Sequence, residues 1–327
     1  MRPLGVHRWL LWAAVTSALV PLSATADSDT RSWLLRMKAA ASGLNYEGTL
    51  VFSAGGAISS SRVWHYRVGE NTFERLEAQD GRQQRIFRHN DEVRTVWPQS
   101  GTAVVERREM LAAWSTTPQA VDPRAADVYE LRQEGTGRVA GRDAAVLMLW
   151  PRDGLRFAQR LWADQATGLM LRADVIGPTG GLVESSAFST IELGVKAQPE
   201  GVLQAMRQDA GLRIVRPAQR RTSLEDEGWQ LARPVAGFVL AGCMRRGLEQ
   251  VSGESTPMLQ VVFTDGLTHV SLFVESFNPE RHRSEKQAQM GATHTLTRRS
   301  GDYWLTVVGD VPPAALKQFA EALDRRR

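Results

Sequence analysis

Cysteine is nearly missing: Cys243 is the only one in 327 residues. A lone cysteine forms no internal disulfide. That excludes a disulfide-stapled fold and any C-x-x-C redox or zinc centre. Its ordinary reading is a small buried hydrophobe; a reactive or intermolecular thiol is the alternative. Lysine is scarce too, with Lys38, Lys196, Lys286 and Lys317 the whole set. Positive charge is therefore carried by arginine, whose planar fork suits carboxylates and phosphates. The sequence has no H-E-x-x-H, no G-x-S-x-G and no phosphate-binding G-x-x-x-x-G-K-[ST], so the usual metal, nucleophile and nucleotide constellations are absent. His65, His89, His269, His282 and His294 form no close pair of ligand type. The acidic run Glu225-Asp226-Glu227 sits in a polar stretch and reads as solvated charge. No catalytic residue, metal or cofactor is expected, and a binding role is favoured over an enzymatic one.

Long apolar runs are also lacking after residue 22. Before it, Arg2 and Arg8 precede an apolar stretch from Trp9 to Leu22, and Ala24-Thr25-Ala26 offers a small-residue cleavage site before Asp27. This is the pattern of a secretory signal peptide over 1–26, too short to span a bilayer. Export to the periplasm is the expectation. The chain's 40 basic and 36 acidic residues leave +4, and removing the two leader arginines leaves +2. So small an excess asks for no nucleic acid partner.

What is present is a long period-2 pattern. Ser28 to Ala41 reads first as a helix, with Trp33, Leu34, Met37 and Ala41 on one stripe, a cap at Ser28 or Asp29 and an end at Gly43. Then "LNYEGTLVFSAGG" alternates, and close to ten strands follow, punctuated by Gly, Asp and Pro. "ADQATGLML" is a hairpin, and Pro98 to Gly101 a turn. Met110 to Asp127 starts helical and then loops through two prolines. Five arginines, one proline and an acidic cluster mark 206–226 as a linker or exposed crossing segment. Beyond it, Asp265-Gly266 and Ser300-Gly301-Asp302 centre two hairpins, and "PPAALKQFAEALDRRR" is a closing helix with Arg325 to Arg327 at its C-terminal dipole. The domains expected are 27–205 and 227–327. The fold class is α+β, mostly antiparallel β.

Eight tryptophans lie outside the leader, six of them in the first domain. A single curved sheet buries one face by covering it with helices or by holding a ligand. Leu50, Phe52, Trp64, Tyr66, Ile86 and Trp97, with Met110, Leu111 and Trp114 outside the strands, are the candidate lining of an apolar groove. Whether it is a filled core or a pocket stays open, because both share one pattern. Arg62, Arg67, Arg85 and Arg88 are candidates to meet lipid phosphates; solvated strand arginines are the plainer reading.

"YEGTLVF" after a short helix, "GRVAGRDAAVL", "RLWADQATGLMLRADV" and "VVGDVPPAALKQFAEAL" together resemble the RseB/MucB family, in the right order and over nearly the whole chain after the leader. The resemblance implies a large N-terminal domain like the lipoprotein carrier LolA, a half-open barrel with helices plugging its concave side, and a smaller C-terminal sheet-and-helix domain. It implies a negative regulator of the envelope-stress sigma factor. Such a protein binds the periplasmic domain of a single-span anti-sigma factor of the RseA/MucA type and shields it from site-1 proteolysis. A lipid or lipopolysaccharide fragment displaces it. The sequence leaves a homo-oligomer open. The competing functions are a lipid or lipoprotein carrier and an envelope hydrolase.

Overall fold

The computed structural model describes residues 23–107, 121–249 and 255–326. Its first element is the helix α1 (Ser23–Gly43). It starts earlier than Ser28 and runs through Ala24-Thr25-Ala26. Alanine favours helix and no proline or glycine interrupts the segment, so Ser28 and Asp29 lie inside the helix instead of capping it. Leu34, Met37 and Ala40 are its buried stripe, with Trp33 half-buried beside them. Ala40 takes the place expected for Ala41, one helical step from Met37.

The chain then alternates, as written, through β1 (Tyr46–Ala54), β2 (Ala57–Val68), β3 (Asn71–Ala78), β4 (Arg85–His89), β5 (Glu92–Trp97) and β6 (Thr102–Arg107). The short α2 (Ala125–Val128) leads to β7 (Tyr129–Val139), β8 (Arg142–Pro151), β9 (Ala158–Asp164), β10 (Met170–Ile176) and β11 (Leu182–Leu193). Next come α3 (Glu200–Arg207) and β12 (Arg213–Val215). These strands build one sheet in the order β12-β6-β5-β4-β3-β2-β1-β11-β10-β9-β8-β7, antiparallel except where β12 runs parallel to β6. The sheet is curled: β7 and β11 approach within 8 Å although three strands lie between them.

A second sheet holds β13 (Gln219–Arg221), β15 (Val239–Glu249), β16 (Ser255–Thr264), β17 (His269–Ser276), β18 (Lys286–Met290), β19 (Thr293–Ser300) and β20 (Tyr303–Gly309), after the two-strand partner β14 (Trp229–Leu231) has branched off. Its order is β13-β15-β16-β17-β20-β19-β18, antiparallel throughout. The helix α4 (Pro313–Ala322) lays Ala315, Leu316, Phe319 and Ala320 on it. Phe319 meets Phe238 and Phe263 at ring separations of 5.2 and 5.1 Å.

Within 206–226, β12 closes the first sheet and β13 opens the second, so the crossing lies between residues 215 and 219. One expectation changes here. The final helix stops at Ala322. Residues Leu323–Arg325 form β21, paired with β14, so that Leu231 faces Leu323 and Arg325 lies over the rings of Trp229 and Tyr303. Those ring and ladder contacts outweigh the weak pull of a helix dipole on exposed arginines.

Candidate functional site

Directly opposed residues of an antiparallel pair share a sheet face. In β1 and β2, Tyr46 faces His65, Gly48 faces Val63 and Leu50 faces Ser61. Val63 then faces Leu76, Leu76 faces Ile86, and Ile86 faces Thr95, two residues from Trp97. Leu50, Phe52, Ile86 and Trp97 therefore lie on one face. Trp64 and Tyr66 lie on the other, where Glu47 opposes Trp64 and Phe73 opposes Tyr66. The single lining that joined these six residues is corrected to two. The four arginines divide the same way: Arg62 and Arg85 go with Trp64, whereas Arg67 and Arg88 go with Leu50. Met110, Leu111 and Trp114 lie outside the described residues.

The face bearing Leu50 lies under α1. Tyr46, Leu50, Val63, Leu76 and Phe188 are buried with Ala40, while Leu34 and Met37 fill the neighbouring stretch against Leu147, Leu149 and Leu161. Phe52, Ile86 and Trp97 are half-buried on the same face, and Ile86 packs against this cluster. Gly48 is required here, because a Cβ would stand 2.4 Å from the carbonyl oxygen of Thr190. His65 is a buried polar group on this face. The His65 ring stacks on Tyr46 at 4.9 Å, and its Nδ1 lies 3.0 Å from Glu74 Oε1. Burial resists ionisation of Glu74, but His65 and Arg88 together outweigh it and hold the carboxyl below its usual range. Burial pushes the Tyr46 hydroxyl far up. His65 Nε2 is buried with no hydrogen-bond partner.

Among the described residues the opposite face is covered in part, by α3 and the segments flanking it. Val202 packs into Tyr66, Phe73, Phe87, Val96 and Ala103. The guanidinium of the buried Arg94 secures the helix end, donating to Met206 O at 3.1 Å, to Asp209 Oδ1 at 2.8 Å and to Gln208 O. Trp64 sits at the edge of this cluster between two cations, Arg62 at 5.0 Å and Arg75 at 4.5 Å from its ring centre. The Tyr66 hydroxyl donates to Glu47 Oε1 at 2.6 Å; burial first, and then this bond, pushes its pKa up. Every candidate phosphate arginine has a partner. Arg62 lies 4.0 Å from Glu47 and Arg85 lies 3.5 Å from Glu77. Arg88 lies 3.3 Å from Glu74, and Arg67 donates to Thr72 at 3.0 Å.

The contact between the two sheets has no counterpart among the sequence expectations. Arg156, after β8, donates to Asp265 in the β16–β17 turn at 2.8 Å and to the carbonyl of Ala236 at 2.8 Å. Tyr129 adds a bond to Asp265 at 3.3 Å, and Arg246 pairs with Glu106 across the same divide. The Asp-Gly pair signalled only a turn; a partner 109 residues away leaves no local mark. Among the described residues no helix is long and apolar enough to cross a membrane, and no cluster of side chains has metal-ligand geometry.

A model of the MucB/RseB N-terminal domain matches residues 29–206, and one of the MucB/RseB C-terminal domain matches 223–324. The sigma factor AlgU regulatory protein MucB of Pseudomonas aeruginosa is 30% identical over 310 residues, 93% of each chain. The sigma-E factor regulatory protein RseB of Escherichia coli K12 is 22% identical over 96% of each. A crystal structure of MucB in complex with MucA(peri) superposes with a TM-score of 0.68 at 26% identity, covering 91% of this chain and 100% of that one. With both domain models matched in order along one chain, this protein belongs to the MucB/RseB family.

Proposed function

We propose that this protein is a periplasmic regulator. It binds the periplasmic region of a single-span anti-sigma factor, shields that region from site-1 proteolysis, and is displaced by a lipid or lipopolysaccharide signal. The observation that carries the reading is the family match through both domains, together with a relative of the same two-domain fold that forms a complex with MucA(peri). The protein acts by binding, without catalysis, metal or cofactor. A segment held on its surface cannot enter a protease cleft, so protection is competition for one substrate. A lipid that prefers the free regulator shifts the equilibrium by its difference in affinity for the two states.

The apolar layer under α1 is the place for the lipid. It is filled, so an acyl chain enters by replacing the stripe of Leu34, Met37 and Ala40, and half-buried Phe52 and Trp97 lie on the same sheet face. A lipid carrier needs only the first sheet. Here a second sheet is fixed to it through the buried Arg156–Asp265 pair, which favours the regulator. The test mixes the purified protein with the periplasmic segment of an anti-sigma factor of the RseA/MucA type and its protease. Cleavage slows in proportion to the bound fraction and recovers on adding lipopolysaccharide. Cleavage at an unchanged rate removes the regulator reading, and delivery of bound lipoprotein to an outer-membrane acceptor establishes the carrier.

A further inference from the structure

The two large sheets have four edges, and three of them are blunted. β7 carries a bulge between Gln133 and Gly135 and the charges of Glu130, Arg132, Glu134 and Arg138. β12 and β13 are three residues each and contain Arg213, Arg220 and Arg221. Bulges, short length and charge are the devices that keep a strand edge from pairing with another chain. β18 lacks them. It has five residues in continuous register with β19, no proline, one charge at its first position (Lys286), and every residue exposed. Among the described residues it is the last strand of its sheet, and it turns half of its backbone amides and carbonyls away from β19.

Beside its C-terminal end lies a cleft of about 720 Å³, where the tip of the β1–β2 hairpin and the start of β11 meet the β18–β19 turn. Met290 and Leu182 line it and are among the most exposed large apolar side chains of the described protein, at 72% and 58%. The walls are fixed. Gly291 adopts φ +60°, and a Cβ there would stand 2.6 Å from that of Ala54; Glu184 accepts a hydrogen bond from the Ala292 amide at 3.2 Å.

We propose that β18 and this cleft take an extended segment of the anti-sigma partner as an added strand, with apolar side chains at alternate positions resting on Met290 and Leu182. This rests on the function proposed above and places the partner on a surface apart from the layer under α1. An unpaired strand edge calls for backbone donors and acceptors, which a peptide in extended form supplies and an acyl chain does not. The apolar side chains next to the edge select for residues of the same kind at every second position.

The experiment measures binding of the anti-sigma periplasmic region to the full chain after leader removal, its Met290→Asp and Leu182→Asp variants and the double variant, with hydrogen exchange followed in the free and bound protein. Both positions are exposed, so the variants keep the fold, which circular dichroism checks. The expected result is a loss of affinity of tenfold or more in the double variant, and slowed exchange in 286–290 on binding by the unmodified protein. Unchanged affinity, or unchanged exchange in β18, overturns the docking site while the regulator reading stands. A dimer in the unmodified protein that becomes monomeric in the variants assigns the edge to self-association and also overturns it. If the unmodified protein fails to bind, the proposed function falls and the site with it.

Discussion

Arg156 and Asp265 meet at 2.8 Å between the two sheets with no exposed side-chain surface on either. Arg156 also lies 4.4 Å over the ring of Phe238 and reaches the Ala236 carbonyl. Asp265 in turn caps its own turn, accepting from the amides of Leu267 and Thr268 at 2.9 and 2.7 Å. The pair joins a loop of the first domain to a hairpin of the second, so its loss reads out as loss of their attachment.

Asp265→Ala leaves the buried guanidinium with Asp153 as its remaining carboxylate partner and two turn amides without an acceptor. The expected cost is about 3 kcal/mol, the low end of the range for breaking a buried pair, because Asp153 still neutralises the guanidinium. Urea unfolding checks it. Limited proteolysis of the folded variant should cut in or near 215–219, where the chain crosses between the sheets. A variant as stable and as resistant as the parent removes the pair from the attachment.

Glu227 gives a pH dependence. It accepts from Arg245 at 2.9 Å, from Thr222 at 2.9 Å and from Arg220 at 3.2 Å. Arg245 chiefly, against the opposing effect of burial, holds its carboxyl below the usual range. A depressed folded pKa means that the contribution is complete above the unfolded value of about 4.3 and is lost as pH falls through the folded one. Arg220 and Arg245 are themselves open to solvent, which screens the attraction. Glu227→Gln is therefore expected to cost about 1 kcal/mol at pH 7. The gap from the parent should close below pH 4 in urea titrations.

Cys243 is buried in the second core, and burial, helped by the charges of Glu227 and Asp226, pushes its thiol up to about 11. Thiolate is the reacting species, so at pH 8 a disulfide reagent should leave the folded protein unlabelled and modify one thiol when guanidinium unfolds it. Rapid labelling of the native state would place Cys243 at an accessible surface and restore the reactive-thiol alternative.

Much of the architecture is legible in the residues. The switch from Leu34 and Met37 at helical spacing to alternation from Tyr46 onward marks α1 and β1, and Asp265-Gly266 and Gly301-Asp302 mark real hairpins. The face to which each strand residue belongs depends on loop length, which alternation alone does not reveal. Gly55-Gly56 is a two-residue loop, so Ala54 opposes Ala57 and even-numbered residues of β1 share a face with odd-numbered residues of β2. Counting across that loop puts Trp64 opposite in face to Leu50; grouping by apolar character put them together. The β14–β21 pair and the Arg156–Asp265 contact are long-range and have no sequence period at all.

That parity reassigns the lipid-binding prediction. Trp64 is held between Arg62 and Arg75 on the face away from α1, whereas Phe52 lies half-buried on the face under it. If acyl chains enter beneath α1, Phe52→Ala removes apolar contact area from the lipid, and a tenfold change in affinity corresponds to about 1.4 kcal/mol, within reach of one truncated aromatic side chain. Trp64→Ala should leave lipid affinity within about twofold, well under that interval. Titration of both variants with lipopolysaccharide, followed by their total tryptophan fluorescence, measures the difference. A larger loss from Trp64→Ala than from Phe52→Ala would move the lipid to the arginine-lined face, where Arg62 and Arg85 would have to leave Glu47 and Glu77 to meet its phosphates.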